Sequence, residues 1–173
     1  MKKNIYTLLF STLFFTSISM ASSDFYVEEV SKNLIVFTQN DQQGLIVINE
    51  NSSIVVDPMN QETTKNIQNF LATNDKPMIG HIIYSHSHWD HIAGGQIFKD
   101  QGAEVIAQRK CKENWINNPN SNVVVPDTVF EKEYTISVGG ASLEMYYFGP
   151  SHDNCRVVFL IQPDRIMFIA DDA

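Results

Sequence analysis

Three histidines and an aspartate fall within the run His86-Ser87-His88-Trp89-Asp90-His91, directly after the apolar stretch His81-Ile82-Ile83-Tyr84. Residues two apart in an extended chain point to the same side, so His86 and His88 can reach one metal ion where a strand runs out into a loop. Asp90 and His91 lie past that pair, where they can face a second ion or orient a water on the first. The chain has only five histidines, so three in one short window is a poor match to the scatter of packed or solvated side chains. Zinc takes nitrogen and oxygen ligands in a tetrahedral arrangement, and a catalytic site keeps one position open for water.

Two further segments carry groups of the same kind. Gly149-Pro150-Ser151-His152-Asp153-Asn154 separates two apolar stretches, which puts His152 on a loop at a sheet edge, a usual place for a functional side chain on a rigid base. There it can complete a three-histidine site. The apolar run Ile166 to Ala170 ends in Asp171 and Asp172, an acid pair that taken alone reads as a solvated turn. Cys111 and Cys155 are the only cysteines. They can pair in an oxidising compartment, but whether their side chains meet stays open at this level. Cys155 stands close enough to His152 to suggest a ligand, yet it also begins an apolar strand and fits burial in a sheet better.

The elements that must position these groups follow from periodicity and turn chemistry. Strands are expected over Phe25 to Val30, Asn33 to Thr38, Gly44 to Asn49 and Ser53 to Asp57, with Glu50-Asn51-Ser52 as a hairpin tip, making an antiparallel meander. Ile67, Phe70 and Leu71 share one face of a helix over Glu62 to Ala72, stopped by Asn74-Asp75-Lys76-Pro77. Met78 to Tyr84 is a buried strand that delivers the histidine cluster. A helix near Gly95 to Asp100, a strand Glu104 to Ala107 and a helix Arg109 to Ile116 continue an α/β alternation. After the loop Asn117 to Asn122, strands are expected at Val129 to Val138, Ala141 to Phe148, Arg156 to Ile161 and Arg165 to Ala170.

At 173 residues the chain suits one domain with a real core. Lys2-Lys3, the apolar stretch Ile5 to Met20 and the small residues Ser19 and Ala21 read as a secretory signal peptide over residues 1–21, leaving a domain over 22–173 that is secreted or periplasmic. The apolar stretch is shorter than the ~20 residues a spanning helix needs, so no membrane association is expected once the signal is removed. The net charge is -8 with 20 acids and 12 bases, and loss of Lys2 and Lys3 leaves 20 against 10, or -10. Such a surface repels polyanions and offers little counterion release, which argues against a nucleic-acid partner and for a small-molecule substrate. Oligomeric state has no signature here.

Taken together, His86-x-His88-x-Asp90-His91 after an apolar strand, His152 on a later loop and an apolar strand ending at Asp171 resemble the metallo-β-lactamase superfamily of metal-dependent hydrolases. Gly44 to Ile48 followed by Ile54-Val55-Val56-Asp57 resembles the family's opening hairpin, with Asp57 beneath the site. The resemblance implies an α/β (α+β) fold, a four-layer αβ/βα sandwich with metals at one edge. It implies that His86, His88 and His152 bind a first ion, that Asp90 and His91 serve a second, and that Asp171 bridges the two, with Ala170 where a glycine is common. Asp172 fits that alignment less well, and His81 has no place in it. Members with a full second site supply another histidine well after the bridging carboxylate. Here the sequence ends at Ala173, so the expectation is a domain truncated at its C-terminus, the alternative being an incomplete second site.

The implied cofactor is one or two Zn2+ ions, with iron or manganese also suited to these ligands. Zinc lowers the pKa of a bound water from about 15.7 to about 7, and Asp90 would orient that water as the catalytic carboxylate. One large lactamase subclass has an arginine after the motif aspartate and a cysteine at the bridging position. This chain has His91 and Asp171, which is more similar to the thioesterase, lactonase and phosphodiesterase branches. The expected substrate is therefore an ester, thioester, lactone or lactam, the alternatives being a β-lactamase proper or a non-catalytic metal-binding member.

Overall fold

The structure, a computed structural model, describes residues 25–48, 50–138 and 140–171; the expected signal peptide and Asp172 lie outside the described residues. Short apolar runs bounded by turn residues produce the expected meander: β1 (Phe25–Glu29), β2 (Leu34–Gln39), β3 (Gln42–Ile48) and β4 (Ser53–Val56), each antiparallel to the next. Asn40 and Asp41, both with positive φ (50° and 68°), turn the chain between β2 and β3, so that Gln39 pairs with Gln42. Positive φ at both central residues is what a type I′ hairpin requires, and its twist matches that of the strands it joins. Gly44 lies opposite Phe37, whose ring covers the bare backbone; a Cβ there would meet Phe37 Cζ at 2.2 Å.

Beyond β4 the chain crosses over through α1 (Gln61–Thr73) to β5 (Ile79–Ile83), which lies parallel to β4. The helix starts where the Asn60 side chain accepts hydrogen bonds from the backbone N–H groups of Glu62 and Thr63 at 2.9 and 3.0 Å. Ile67 and Leu71 are buried on its inner face, as the spacing predicts, with Phe70 packed beside them. Two single-turn helices follow, α2 (Trp89–Ile92) and α3 (Gln96–Lys99), then β6 (Glu104–Gln108), α4 (Arg109–Asn117) and β7 (Thr128–Phe130). The seven strands form one sheet in chain order, antiparallel from β1 to β4 and parallel from β4 to β7.

The single strand expected over Val129 to Val138 is two. It breaks at the exposed pair Glu131-Lys132, and its halves join different sheets: β7 pairs with β6, while β8 (Glu133–Val138) pairs with β9 (Ala141–Tyr146). Three consecutive charges, Glu131-Lys132-Glu133, interrupt the alternation there, but Phe130, Tyr134 and Ile136 keep the same two-residue phase on either side, so the phase does not reveal a change of sheet. The solvated charges release the chain from one sheet, and Phe130 and Tyr134, stacked with centroids 5.9 Å apart, hold the two together. The smaller sheet is completed by β10 (Val158–Gln162) and β11 (Ile166–Phe168), all antiparallel. Cys155 is buried but precedes β10 rather than beginning it, and it is disulfide-bonded to Cys111 of α4.

Two cores result. Leu34, Leu45, Val56, Ile83 and Ile106 of the large sheet face Leu143, Met145, Phe159 and Ile161 of the small one. On its other face the large sheet packs through Phe37, Ile46, Val55 and Ile82 against Ile67, Leu71 and Phe98 of the helices. Helices, large sheet and small sheet are thus three layers of the sandwich among the described residues. The C-terminal ends of β4 and β5 and the start of β3 lie at one edge, since β3 runs against β4 and β5 runs with it. The edge beyond the carboxyl ends of parallel strands is where open α/β sheets hold ligands.

Candidate metal centre

Asp57, at the end of β4, is fully buried and has a left-handed backbone (φ 58°), a conformation Asp tolerates better than most residues. Its Oδ1 accepts a hydrogen bond from the Ser85 backbone N–H at 2.8 Å, and its Oδ2 accepts from the Ser85 hydroxyl. Ser85 Oγ also lies 2.8 Å from His86 Nδ1. A serine hydroxyl has one proton to give. With that proton directed to Asp57, Oγ accepts from His86 Nδ1–H, and the lone pair of His86 is left on Nε2. That fixing of tautomer and ring orientation by an outer partner is what a metal-ligating histidine needs.

His86 Nε2 is buried and has no hydrogen-bond partner among the described residues, and it lies 3.5 Å from Asp171 Oδ2. His152 Nε2 lies 3.3 Å from the same oxygen and 3.1 Å from His88 Nδ1. One ligand atom from each of His86, His88, His152 and Asp171 thus falls within 4.8 Å of the others. Ligand atoms bound tetrahedrally at about 2.0–2.1 Å stand about 3.3–3.4 Å apart, so these spacings fit a single ion. The orphaned Nε2 and the donor set of three imidazoles and a carboxylate suit zinc or a similar divalent metal.

A second group adjoins the first. Asp57, His86 and His91 are all buried and also have ligand atoms within 4.8 Å of one another. His91 Nδ1 lies 3.4 Å from Asp57 Oδ2 and its Nε2 lies 3.1 Å from Asp171 Oδ1, so Asp171 faces both groups. Asp90 stands apart from both. It is exposed, and its Oδ2 accepts a hydrogen bond from Gln42 Nε2 at 2.6 Å.

The two imidazoles in the interior carry opposite electrostatic biases. Burial lowers the pKa of His86, helped by the neighbouring charges of His91 and His88 and opposed by Asp57. Burial opposes protonation of His91 too, but the adjoining carboxylate of Asp57 and the charges of Asp171 and Asp90 outweigh it and raise its pKa. Burial thus disfavours a proton on His86, while the carboxylates around His91 favour one, so a cation meets less competition from protons at His86 than at His91.

The loops are tied to one another. The Asp153 carboxylate accepts from the N–H and hydroxyl of Ser87 and from the N–H of Cys155. Asn114 of α4 donates to Ser87 Oγ at 2.9 Å and to Asn154 Oδ1 at 2.7 Å, next to the Cys111–Cys155 bond. Arg156 donates to the backbone carbonyls of Ala170 and Asp171 at 3.2 and 2.9 Å, anchoring the turn on which Asp171 sits. The short helix α2 is held against the β4 end by Met59 N–H donating to His91 O at 2.7 Å. Gly94 (φ 86°) lies so close to Asn60 that a Cβ would meet its backbone at 2.3 Å.

Every expected ligand except Asp90 therefore lies in one of the two clusters. Cys155 is committed to a disulfide. His81 sits at the middle of β5, paired with Ile54 and Glu104, and belongs to neither cluster. Gln42, Ser85, Asn114, Asp153 and Arg156 escape a reading of the sequence. Only Ser85 and Asp153 carry a signal there, each being the neighbour of a candidate histidine.

A helix-backed pair of sheets with histidines and carboxylates gathered at the strand ends defines a class of α/β sandwich with a candidate metal site. The chain belongs to the metallo-beta-lactamase superfamily, whose family model matches residues 42–171. It is 25% identical over 126 residues to a metallo-beta-lactamase type 2 of Bacteroides fragilis, covering 72% of this chain and 49% of that protein. It is also 25% identical over 91 residues to the 2,4-dinitroanisole O-demethylase subunit alpha of Nocardioides sp. (strain JS1661), covering 52% of this chain and 28% of that one. The chain thus spans about half the length, or less, of these curated relatives. Among solved structures, a metallo-beta-lactamase from Pontibacter korlensis shares the fold with a TM-score of 0.73 at 23% identity, over 83% of this chain and 70% of that one. The DIM-1 metallo-beta-lactamase does so with a TM-score of 0.71 at 22% identity, over 83% and 68%.

Proposed function

We propose that this protein is an exported, zinc-dependent hydrolase acting on an ester, thioester, lactone or lactam. The observation that carries the reading is the convergence of His86, His88, His152 and Asp171 from three loops upon one point. When bound there, a divalent cation supplies a water acidic enough to attack at neutral pH and polarises the oxygen of the substrate carbonyl. His86 would hold it through Nε2, its other nitrogen anchored by Ser85, while His88 and His152 complete the face open to solvent. Asp90, its Oδ2 held by Gln42, would orient the attacking water. Addition of that water forms the new C–O bond, and the C–O, C–S or C–N bond to the leaving group breaks as a proton passes to it. The cleft of about 340 Å³ bounded by Asp41, Gln42, Gln43, His91 and Phe168, Ile169, Ala170 and Asp171 would admit the substrate.

Export rests on the residues 1–21 segment and agrees with the Cys111–Cys155 disulfide, a bond that persists in oxidising compartments. The acidic surface favours a small molecule over a nucleic acid as partner. A β-lactam is the second reading, favoured by the lactamases among the relatives; His91 and Asp171 favour the wider class.

The test is turnover by zinc-loaded protein of a chromogenic cephalosporin, a nitrophenyl ester, an acyl thioester and a lactone. At least one should be hydrolysed, with loss of activity on chelation and in His88→Ala, which should also lose high-affinity zinc binding. A protein that holds zinc tightly and turns over none of the four would be a passive metal binder, and the hydrolase reading would be abandoned.

A further inference from the structure

We propose that the groove between α4 and the end of β9 binds a small amphipathic anion, a carboxylate joined to an aromatic or acyl group, with Lys110 and Lys132 taking the carboxylate and Phe148 the apolar part. The groove shares no residue with either ligand cluster of the metal centre.

Three stretches of the chain supply the walls. Lys110 stands in the first turn of α4, Glu131-Lys132 is where the chain leaves one sheet for the other, and Tyr147-Phe148-Gly149 follows β9. Tyr147 N–H donates to Lys132 O at 2.7 Å, and Gln108 Nε2 donates to Glu131 O at 3.0 Å, so the walls are bonded to one another. The space between them is about 480 Å³, within the range of small-molecule sites.

Charge and apolar surface there match one kind of ligand. The chain has 20 acids against 12 bases, yet Lys110 and Lys132 both line this groove, and neither pairs with a carboxylate among the described residues. Glu131, the one acid in the lining, is engaged by Arg109. Lys110 is half-buried and held in place: its Nζ donates to Tyr147 Oη at 3.0 Å, and that hydroxyl donates onward to Asn154 O at 2.8 Å. An ammonium group has three protons, so two are left for a ligand. Phe148, 81% exposed, is fixed by stacking on Tyr146 with ring centroids 6.1 Å apart. A ring kept in water forgoes the stabilisation of burial, and the apolar part of a ligand would restore it. A neutral ligand would leave both ammonium groups unused, while a polyanion would be repelled by the net charge of -8.

The probes are 2-naphthoate and its uncharged analogue 2-naphthamide, titrated against the whole protein by calorimetry. Naphthoate should bind at a single site. Lys110→Gln should weaken it about tenfold, the scale of a hydrogen bond to a charged group, and Phe148→Ala about fivefold, the scale of a lost aromatic contact. Naphthamide should bind more weakly than naphthoate and be indifferent to Lys110→Gln. Lys132→Gln, at an exposed position, repeats the charge test should Lys110→Gln fail to fold by circular dichroism. No saturable binding of naphthoate, or an unchanged affinity in Phe148→Ala, overturns the site and leaves the metal centre untouched. Binding that is lost in His88→Ala and unaltered in Lys110→Gln would put the carboxylate at the metal centre, and would overturn the groove equally.

Discussion

Asp153 Oδ2 accepts hydrogen bonds from both the backbone N–H and the hydroxyl of Ser87, at 2.9 and 2.7 Å. Asp153 is the neighbour of His152, and Ser87 lies between His86 and His88, so one carboxylate sets the distance between the two loops whose imidazoles converge. Hydrogen bonds to charged groups contribute about 1.5–3 kcal/mol each, and here they secure geometry as well as stability.

Asp153→Ala should therefore lower stability by about 2 kcal/mol, in the range for one lost charged hydrogen-bond network, and weaken zinc binding while leaving every ligand in place. Asp153→Asn, which preserves shape and part of the bonding, should restore a share of both. The pH dependence is a second signature. Burial pushes the Asp153 carboxyl up, but the bonds from Ser87 and Cys155 and the charge of His86 outweigh it and hold its pKa below the usual range. The unfolded chain then binds the proton first as pH falls. The contribution of Asp153 is fully present above a pH of about 4 and is lost as pH falls through the folded-state value. Denaturant midpoints of the metal-free protein measured down the acid limb should show this loss in the unaltered chain and a shallower one in Asp153→Asn.

The Cys111–Cys155 bond closes a loop of sequence separation 44, and disulfides of this kind stabilise by about 2–4 kcal/mol. The double variant Cys111→Ser with Cys155→Ser should lose about that much in a denaturant titration. Because Cys155 lies on the stretch between His152 and β10, it should also bind zinc more weakly, although neither sulfur is a ligand. Equal zinc affinity in the two proteins would show that Asp153 and Asn114 hold the loop unaided.

His86 and His91 should pull metal-free stability in opposite directions with pH. The pKa of His86 is lowered, so between its folded value and the unfolded value of about 6.5 the unfolded chain binds more protons, and stability falls as pH drops through that window. The pKa of His91 is raised, so its contribution is complete below about 6.5 and disappears as pH climbs through the folded value. His91→Gln should flatten the alkaline side of the stability profile, and His86→Gln the acid side. Zinc binding should release a proton where His91 is charged, detectable as uptake by a weak buffer.

Much of the scaffold was legible because its causes are local. Short apolar runs between turn residues mark β1 to β5, the spacing of Ile67, Phe70 and Leu71 and the stop at Asn74 to Pro77 mark α1, and the crowding of His86, His88 and His91 announces a site before any fold is known. The change of sheet at Glu131-Lys132 was not legible, since Phe130, Tyr134 and Ile136 keep one two-residue phase whether a strand continues in one sheet or crosses to another. Which sheet each half joins depends on the partner strand, β6 or β9, that it meets in space.

The composition of the site is a property of the chain: imidazoles and carboxylates at strand ends are encoded by residue type and short-range periodicity. Its connectivity is not, because contacts such as Gln42 to Asp90, Asp153 to Ser87 and Cys111 to Cys155 join residues far apart in the sequence, and closing such distances is paid for only by burial of the two cores. Tertiary packing alone therefore decided that Asp171 faces both clusters while Asp90 is turned toward Gln42.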